Sequence, residues 1–236
     1  MSLDVTLYGH MTIDTIFGES KNYEFGGLAN VWRTLKKNGF NGSVGVEPTY
    51  YGEAIIYVDK KESKRYSDAI LNIKKFQPTI TDSLINHIMY INEFETLEII
   101  NNLQGFNIAD TCKGRPLDYS LIENIDILLS SEEDVEDISQ VVNKFDGIFI
   151  LHNSFGSKVA YKDNLFEFNI DKVLKLANIN VLGAGDIFAG FLIKEIFEKK
   201  IFELDSKTVI FQHIIKIINN VHNSTSTYLK GINHGN

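Results

Sequence analysis

The chain has 236 residues, 44% of them hydrophobic and 11% aromatic, which is enough to bury one sizeable core in a single domain over residues 1–236. Acidic residues (31) outnumber basic ones (23), and the formal net charge of −8 disfavours binding to the phosphate backbone of a nucleic acid. The single cysteine, Cys112, excludes an internal disulfide, and the first residues lack a signal-peptide pattern, so we expect a cytoplasmic protein. The longest apolar run, residues 187–193, is too short for a membrane span.

Short β-rich runs alternate along the chain with amphipathic runs. The pattern of a buried strand occurs at residues 5–9, 89–92, 106–111, 125–129 and 147–151. Helical spacing of apolar residues predicts helices over 28–35, with a stop at Gly39, over 94–103 and over 132–142. Because parallel strands need crossovers long enough to hold a helix, this alternation predicts an α/β fold with a mostly parallel central sheet and helices on both faces.

One segment, residues 43–67, lacks helical periodicity. It has two alternating stretches around a polar turn at 60–63, which predicts antiparallel strands standing apart from the main sheet. A small β lid over a ligand site is one interpretation, and an edge hairpin without ligand contacts is the other. Exposed strand edges also favour pairing with a second copy, so we expect a homodimer through this segment.

The stretch "NVLGAGDIFAGFL", residues 180–192, places small residues and an aspartate before an apolar helical run. The spacing puts Asp186 at the helix start, with Gly183, Ala184 and Gly185 in the turn before it. The first N–H groups of a helix have no internal partner and form an anion site, and a carboxylate beside them can accept a proton from a hydroxyl. An ordinary aspartate N-cap after a tight turn fits the spacing equally well.

The motif "GAGDIFAGFL" resembles the C-terminal signature of the ribokinase-like (PfkB) carbohydrate kinases. In that family the Gly-Ala-Gly-Asp turn forms an anion hole and carries the catalytic base. The resemblance therefore implies these roles for Gly183, Ala184, Gly185 and Asp186, within a ribokinase-like three-layer fold.

Two N-terminal motifs carry the same resemblance. In "LYGHMTID" Asp14 follows Gly9 by five residues, as in the family's first strand, whose aspartate binds sugar hydroxyls. The stretch "FGGLANVWRTLKKNG" matches the family's Gly-Gly-x-x-Asn. The resemblance implies that Asp14, Gly26, Gly27 and Asn30 bind the sugar.

The middle of the chain departs from the family pattern at the magnesium motif. In "LLSSEEDVEDI", Ser131 and Asp134 occupy the positions of the family's asparagine and glutamate. Both residues still offer oxygen atoms that can hold a magnesium-bound water, so the resemblance implies an altered Mg²⁺ site. Acidic residues that favour a helix N-terminus explain the same pattern without a metal.

The segment "ILHNSFGSKVAY" resembles the family's nucleotide-binding strand and turn, although Asn153 stands where glycine is usual. The resemblance implies nucleotide contacts at Ser154, Gly156 and Asn220. It thereby implies ATP as the phosphate donor, and transfer of its γ-phosphate to a hydroxyl of a sugar or sugar derivative.

Two other family likenesses and one rival function stay open. "DTCKGRPL" and "STSTYLKGINHG" look closest to compact fructoselysine 6-kinase-like members, whereas Gly-Gly-Leu-Ala-Asn is similar to heptose-phosphate kinases. The departures from the family pattern also permit an impaired member that binds a sugar or nucleotide as a sensor or partner without turnover. The sequence has no phosphate loop of the Gly-x4-Gly-Lys-Ser/Thr type and no dinucleotide fingerprint after its first strand.

Overall fold

The computed structural model describes residues 2–16, 23–59, 64–95, 97–112, 115–132, 134–135, 138–153, 155–170 and 183–234. The strands are β1 (Leu3–Ile16), β2 (Tyr23–Gly27), β3 (Val44–Asp59), β4 (Lys64–Lys75), β5 (Ser83–Ile88), β6 (Phe106–Asp110), β7 (Ile127–Ser131), β8 (Ile148–Asn153), β9 (Gly156–Tyr161) and β10 (Asn164–Asn169). The helices are α1 (Leu28–Lys37), α2 (Glu98–Asn101), α3 (Ile138–Val142), α4 (Ala184–Glu198) and α5 (Lys207–His234). None of the described helices has both the length and the apolar composition that a membrane span requires.

The ten strands form one sheet in the order β10-β9-β8-β7-β6-β5-β1-β3-β4, and β2 pairs with the distal half of β1. Strands β3, β1, β5, β6, β7 and β8 run parallel to one another, whereas β2, β4, β9 and β10 are added to the sheet by antiparallel pairing. The mostly parallel sheet predicted from the alternation of strands and helices is therefore confirmed.

The core lies on both faces of this sheet because alternate strand residues point in opposite directions. On β1, Leu7 belongs to an apolar cluster with residues of α1, α4 and α5, whereas the next residue, Tyr8, belongs to a second cluster. That second cluster includes Ile100 of α2 and Val141 of α3. Helices cover both faces, and the chain forms the three layers that the sequence predicts.

Three predicted elements are placed wrongly. Residues 89–92 do not form a strand, since β5 ends at Ile88 and Tyr90 adopts the left-handed conformation (φ 53°), which ends extended pairing. The predicted helix over 94–103 is replaced by the shorter α2. It cannot begin at Phe94, because Phe94 is extended. Of the predicted helix over 132–142, the described residues form α3, and ahead of it a separate turn closes from Asp134 N–H to the carbonyl of Ser131.

The segment 43–67 falls mostly on β3 and β4, which pair antiparallel as predicted. The hairpin does not stand apart, however, because β3 pairs with β1 along its length, from Val5 opposite Val44 to Ile16 opposite Ile56. The predicted polar turn at 60–63 lies outside the described residues. The lid role of this segment stays a prediction.

Candidate active site

The turn before α4 brings Asp186 to the N-terminal end of α1. Gly183 is the N-cap of α4 with φ 71°, and a Cβ on it would lie 2.5 Å from the side-chain nitrogen of Asn30. Glycine satisfies both the left-handed backbone and this close approach. The first bond within α4 runs from Ile187 N–H to the Gly183 carbonyl, so the amides before Ile187 face the open end of the helix. The predicted helix start is confirmed, but α4 begins at Ala184, so Ala184 and Gly185 belong to its first turn and only Gly183 to the turn before it.

The carboxylate of Asp186 is buried, with 4% of the residue exposed, and it accepts hydrogen bonds from Asn30 and Tyr90. Asn30 Nδ2 donates to its Oδ2 at 2.9 Å, and the Tyr90 hydroxyl donates to its Oδ1 at 3.2 Å. Arg33 Nη1 donates in turn to Asn30 Oδ1 at 3.3 Å, which orients the amide so that its NH2 group faces Asp186. The structure therefore brings together two of the predicted site residues, Asn30 and Asp186.

Asp14 and the two glycines form the next part of the site. Thr12 Oγ1 donates to Asp14 Oδ1 at 2.6 Å, and both residues are only 4% exposed. Gly26 lies opposite Thr12 in the β1–β2 pairing, and a Cβ on it would lie 2.2 Å from Asp14 Oδ2. Gly27 (φ 62°) is the N-cap of α1, the helix that carries Asn30. The short stretch from Gly26 to Asn30 thus connects the surroundings of Asp14 with those of Asp186.

His10, Tyr50 and Glu93 form a second polar cluster, in which Glu93 was not predicted as a site residue. His10 Nδ1 and Glu93 Oε2 are 2.9 Å apart, and the Tyr50 hydroxyl donates to the same oxygen at 3.1 Å. The His10 ring stacks on Tyr50 (centroids 5.0 Å apart) and tilts against Tyr90 (5.1 Å). This cluster therefore links the β3 segment to the side chain that contacts Asp186.

The electrostatics of this cluster centre on Glu93. Burial alone would raise the pKa of Glu93, but the hydrogen bonds from His10 and Tyr50 outweigh it and hold the pKa below its usual range. Burial and the nearby Glu93 charge raise the pKa of Tyr50, and the same two causes raise the pKa of the Cys112 thiol to about 12. Glu93 is therefore ionised at neutral pH, whereas Tyr50 and Cys112 keep their protons.

Asp110, at the end of β6, is a further acidic group that sequence reasoning missed. Its Oδ1 accepts the backbone N–H of Tyr90, and its Oδ2 lies 3.8 Å from Nε2 of the fully buried His87. Burial, followed by the negative charges of Asp186, Asp134 and Glu93, raises the pKa of Asp110 well above its usual range. The position was recognisable, since Asp110 is the last residue of a buried strand at the carboxyl edge of a parallel sheet.

The two predicted magnesium residues lie at the end of β7. Ser131 donates to Asp134 Oδ2 through its hydroxyl (2.8 Å) and through its backbone N–H (3.1 Å). No set of three or more metal-ligating side chains occurs in the described ranges, but Asp134 lies close enough to Asp110 to raise its pKa. Such oxygen donors fit a Mg²⁺ ion that takes most of its ligands from phosphates and water. The assignment stays a prediction.

Two of the three predicted nucleotide residues, Gly156 and Asn220, lie on β9 and α5. Gly156 begins β9 beside a small cleft lined by Glu132, Asn153 and Phe168. A Cβ on Gly156 would lie 1.9 Å from the Phe168 carbonyl oxygen, so the β9–β10 pairing alone demands glycine there. Asn220 is exposed on α5, and Ser154 lies outside the described residues. Nucleotide contacts at these three positions stay a prediction.

No family model and no curated protein matches the sequence. Solved structures do match over almost the whole chain. Ribokinase from Thermotoga maritima has a TM-score of 0.64 at 19% identity, over 97% of this chain and 99% of that one. Ribokinase from Cryptococcus neoformans in complex with ADP has a TM-score of 0.61 at 12% identity, over 89% and 91%. The nucleoside kinase of Burkholderia thailandensis in complex with inosine has a TM-score of 0.59 at 15% identity, over 95% and 94%. The chain therefore has the ribokinase-like fold.

Proposed function

We propose that the protein is a kinase that transfers the γ-phosphate of ATP to a hydroxyl group of a sugar or sugar derivative. The observation that carries this proposal is the buried Asp186 carboxylate in the first turn of α4, hydrogen-bonded to Asn30 at 2.9 Å. The fold supports it, because the similar structures named above are kinases and one of them holds ADP. The likeness to fructoselysine 6-kinase-like members stays a prediction.

In the proposed reaction, Asp186 accepts the proton of the substrate hydroxyl. The oxygen forms a bond to the γ-phosphorus as the bond from that phosphorus to the β–γ bridging oxygen breaks, and ADP leaves with the electron pair. Amides at the start of α4, those of Ala184, Gly185 and Asp186, stabilise the charge on the transferring group, helped by the positive end of the helix dipole. A positioned base contributes about 10²–10⁴ in rate.

The substrate would lie between the two polar clusters. Asp14 and Asn30 offer hydrogen bonds on one side, and Glu93 and His10 offer them on the other. The rings of Tyr50 and Tyr90 supply apolar surface for the C–H faces of a sugar. Asp134, with Asp110 near it, would hold a Mg²⁺ ion that neutralises charge on the donor phosphates.

The decisive experiment measures ATP consumption against a panel of sugars with Mg²⁺, for the native protein and for Asp186→Asn. We expect the native protein to turn over at least one sugar. We expect Asp186→Asn to lose at least about 10²-fold in kcat and to keep sugar binding in calorimetry, because the amide removes the base but preserves shape. Asp205→Asn, which changes an exposed aspartate in the α4–α5 connection, is the matched control and should keep native kcat.

A sensor without turnover is the second candidate. It is favoured by the Ser131–Asp134 pair, whose hydrogen bonds to each other occupy groups that a magnesium site would use. This candidate predicts that a sugar or nucleotide binds to the native protein and to Asp186→Asn alike, with no ATP consumption in either. Such a result would contradict the kinase proposal.

The homodimer expected from the sequence would use residues 43–67, and we propose that the contact extends over the outer face of β1 to β4, of which this segment is a part. Ile13, Phe25 and Leu71 align across these strands on the face opposite Asp14, and they are 40%, 56% and 46% exposed. Strand β4 is also an edge of the sheet, with one side unpaired by any other strand of the described sheet. A second copy can cover such a face in a two-fold arrangement, because the same apolar patch meets itself.

A further inference from the structure

Tyr90 has a strained backbone beside the candidate base. Its φ of 53° and ψ of 59° lie in the left-handed region, which costs a residue other than glycine about 1 kcal/mol or more. Such a conformation persists only where surrounding contacts demand it. Here the buried Asp110 carboxylate accepts the backbone N–H of Tyr90, directly after β5 has ended.

The side chain of Tyr90 leads from this anchored backbone to Asp186. Its hydroxyl donates to Oδ1 of Asp186 at 3.2 Å, while Asn30 donates to Oδ2. The two donors come from different parts of the fold, the β5 end and α1, so together they fix the plane of the carboxylate. A contact of 3.2 Å before substrate binds is long, and catalytic hydrogen bonds commonly shorten in the substrate complex.

We propose, on the basis of the kinase function above, that Tyr90 is the positioning residue that orients the Asp186 carboxylate toward the substrate hydroxyl. The Asp110 carboxylate holds Tyr90 in the backbone conformation that this contact needs. Tyr90 keeps its proton throughout the reaction. The substrate proton moves to Asp186 and is lost to water after the product leaves, while the phosphoryl group moves from donor to substrate oxygen.

This role has a signature that a purely structural tyrosine lacks. A hydroxyl that donates to a carboxylate favours the ionised form, so removing it raises the pKa of the carboxyl group. Among the described residues, Asn30 from α1 and Tyr90 from the β5 end donate to Asp186, and the Asp110 charge from β6 acts on it. Only the Tyr90 hydroxyl changes in Tyr90→Phe, which keeps the ring that packs on His10.

The first test is an NMR titration of ¹³C-labelled aspartate carboxyl groups, with the Asp186 signal assigned by its absence from Asp186→Asn. We expect Tyr90→Phe to raise the pKa of Asp186 by roughly one unit. Tyr119→Phe, which removes the hydroxyl of a tyrosine packed in the second apolar cluster, should leave it unchanged. An unchanged Asp186 titration in Tyr90→Phe overturns the proposal, whether or not the protein turns over a sugar.

The second test uses turnover. We expect kcat of Tyr90→Phe to fall roughly 10-fold with little change in KM for the sugar, and the acidic limb of the pH–rate profile to move to higher pH. A raised KM with native kcat would make Tyr90 a substrate ligand and overturn its positioning role. If the native protein shows the Asp186 titration but does not turn over any sugar, the kinase function is overturned. The catalytic role of the Tyr90–Asp186 contact is then overturned as well.

Discussion

At the scale of single residues, Asp110 shows how a carboxylate beside the candidate base costs stability. Its raised pKa means that the folded protein binds this proton more tightly than the unfolded chain does. The contribution of Asp110 to stability is therefore highest below the ordinary aspartate pKa, and it falls as the pH rises toward the folded pKa. At neutral pH this loss of stability remains, and the Asp110 carboxyl group supplies the acceptor that holds the Tyr90 backbone N–H.

The variant Asp110→Asn removes the charge and keeps an oxygen that can accept the Tyr90 N–H. We expect its Tm at pH 7 to exceed that of the native protein by roughly 2–4 °C, because no buried carboxyl has to ionise. At pH 4 the two proteins should melt nearly together. Thermal melts followed by circular dichroism at both pH values check this, and a variant that melts lower than the native protein at pH 7 would refute it.

At the scale of elements, the packing of α1 against α4 determines the distance between the side chains of Asn30 and Asp186. Gly190 lies in this crossing, where a Cβ would be 2.8 Å from Cβ of Thr34 and 3.3 Å from the Val31 carbonyl oxygen. The absence of a side chain lets the two helices approach closely. A short contact between two helices thus supports the 2.9 Å hydrogen bond at their N-terminal ends.

Two glycine-to-alanine variants distinguish the effect of helix packing on the free energy of unfolding from the effect of helix propensity. Alanine is favoured over glycine inside a helix by about 1 kcal/mol, but overpacking costs about 1–3 kcal/mol. We therefore expect Gly190→Ala to lower the free energy of unfolding by about 1 kcal/mol. Gly231→Ala, in α5 with no atom within 4 Å of its added Cβ, should raise it by about 0.5 kcal/mol. Urea unfolding measures both, and a stabilised Gly190→Ala would show that the helices can separate freely.

At the scale of the whole molecule, one sheet carries both the core and the exposed apolar face proposed for the dimer. Ile55 lies on that face and is 44% exposed, on the same side of β3 as Glu53, the partner of Ile13. Leu165 is 53% exposed on β10, at the opposite edge of the sheet. The two residues therefore allow a matched comparison of the two edges.

We expect light scattering after size exclusion to give the native protein twice its chain mass of 26.8 kDa. Ile55→Lys should give a single chain mass, because a charge buried in an apolar interface has no partner there. Leu165→Lys should stay dimeric. A monomeric native protein, or dissociation by Leu165→Lys, would contradict a dimer through β1 to β4.

Local sequence patterns were sufficient to predict the elements whose structure depends on residues adjacent in the chain. The start of α4 was predictable because a glycine turn and an apolar helical face are adjacent in the chain. The contact between Tyr90 and Asp186 was not predictable, because the left-handed backbone of Tyr90 depends on Asp110 of another strand. Glu93 was missed for a similar reason: its partners His10 and Tyr50 come from β1 and β3, which only the sheet order brings beside it.

The long first strand has a mechanical consequence. β1 runs without a break from the core, where it pairs with β5, to the region where it pairs with β2, and its register against β3 shifts between Gly9 and His10. No hinge loop separates the two regions along this strand. Any closing motion over a ligand therefore has to bend the sheet, and the sheet bends most easily at the irregular β1–β3 pairing. Thr12 and Asp14 lie beyond that point, whereas Asp186 belongs to the helical layer. Binding a substrate and bringing it close to Asp186 would then both result from one bending motion of the sheet.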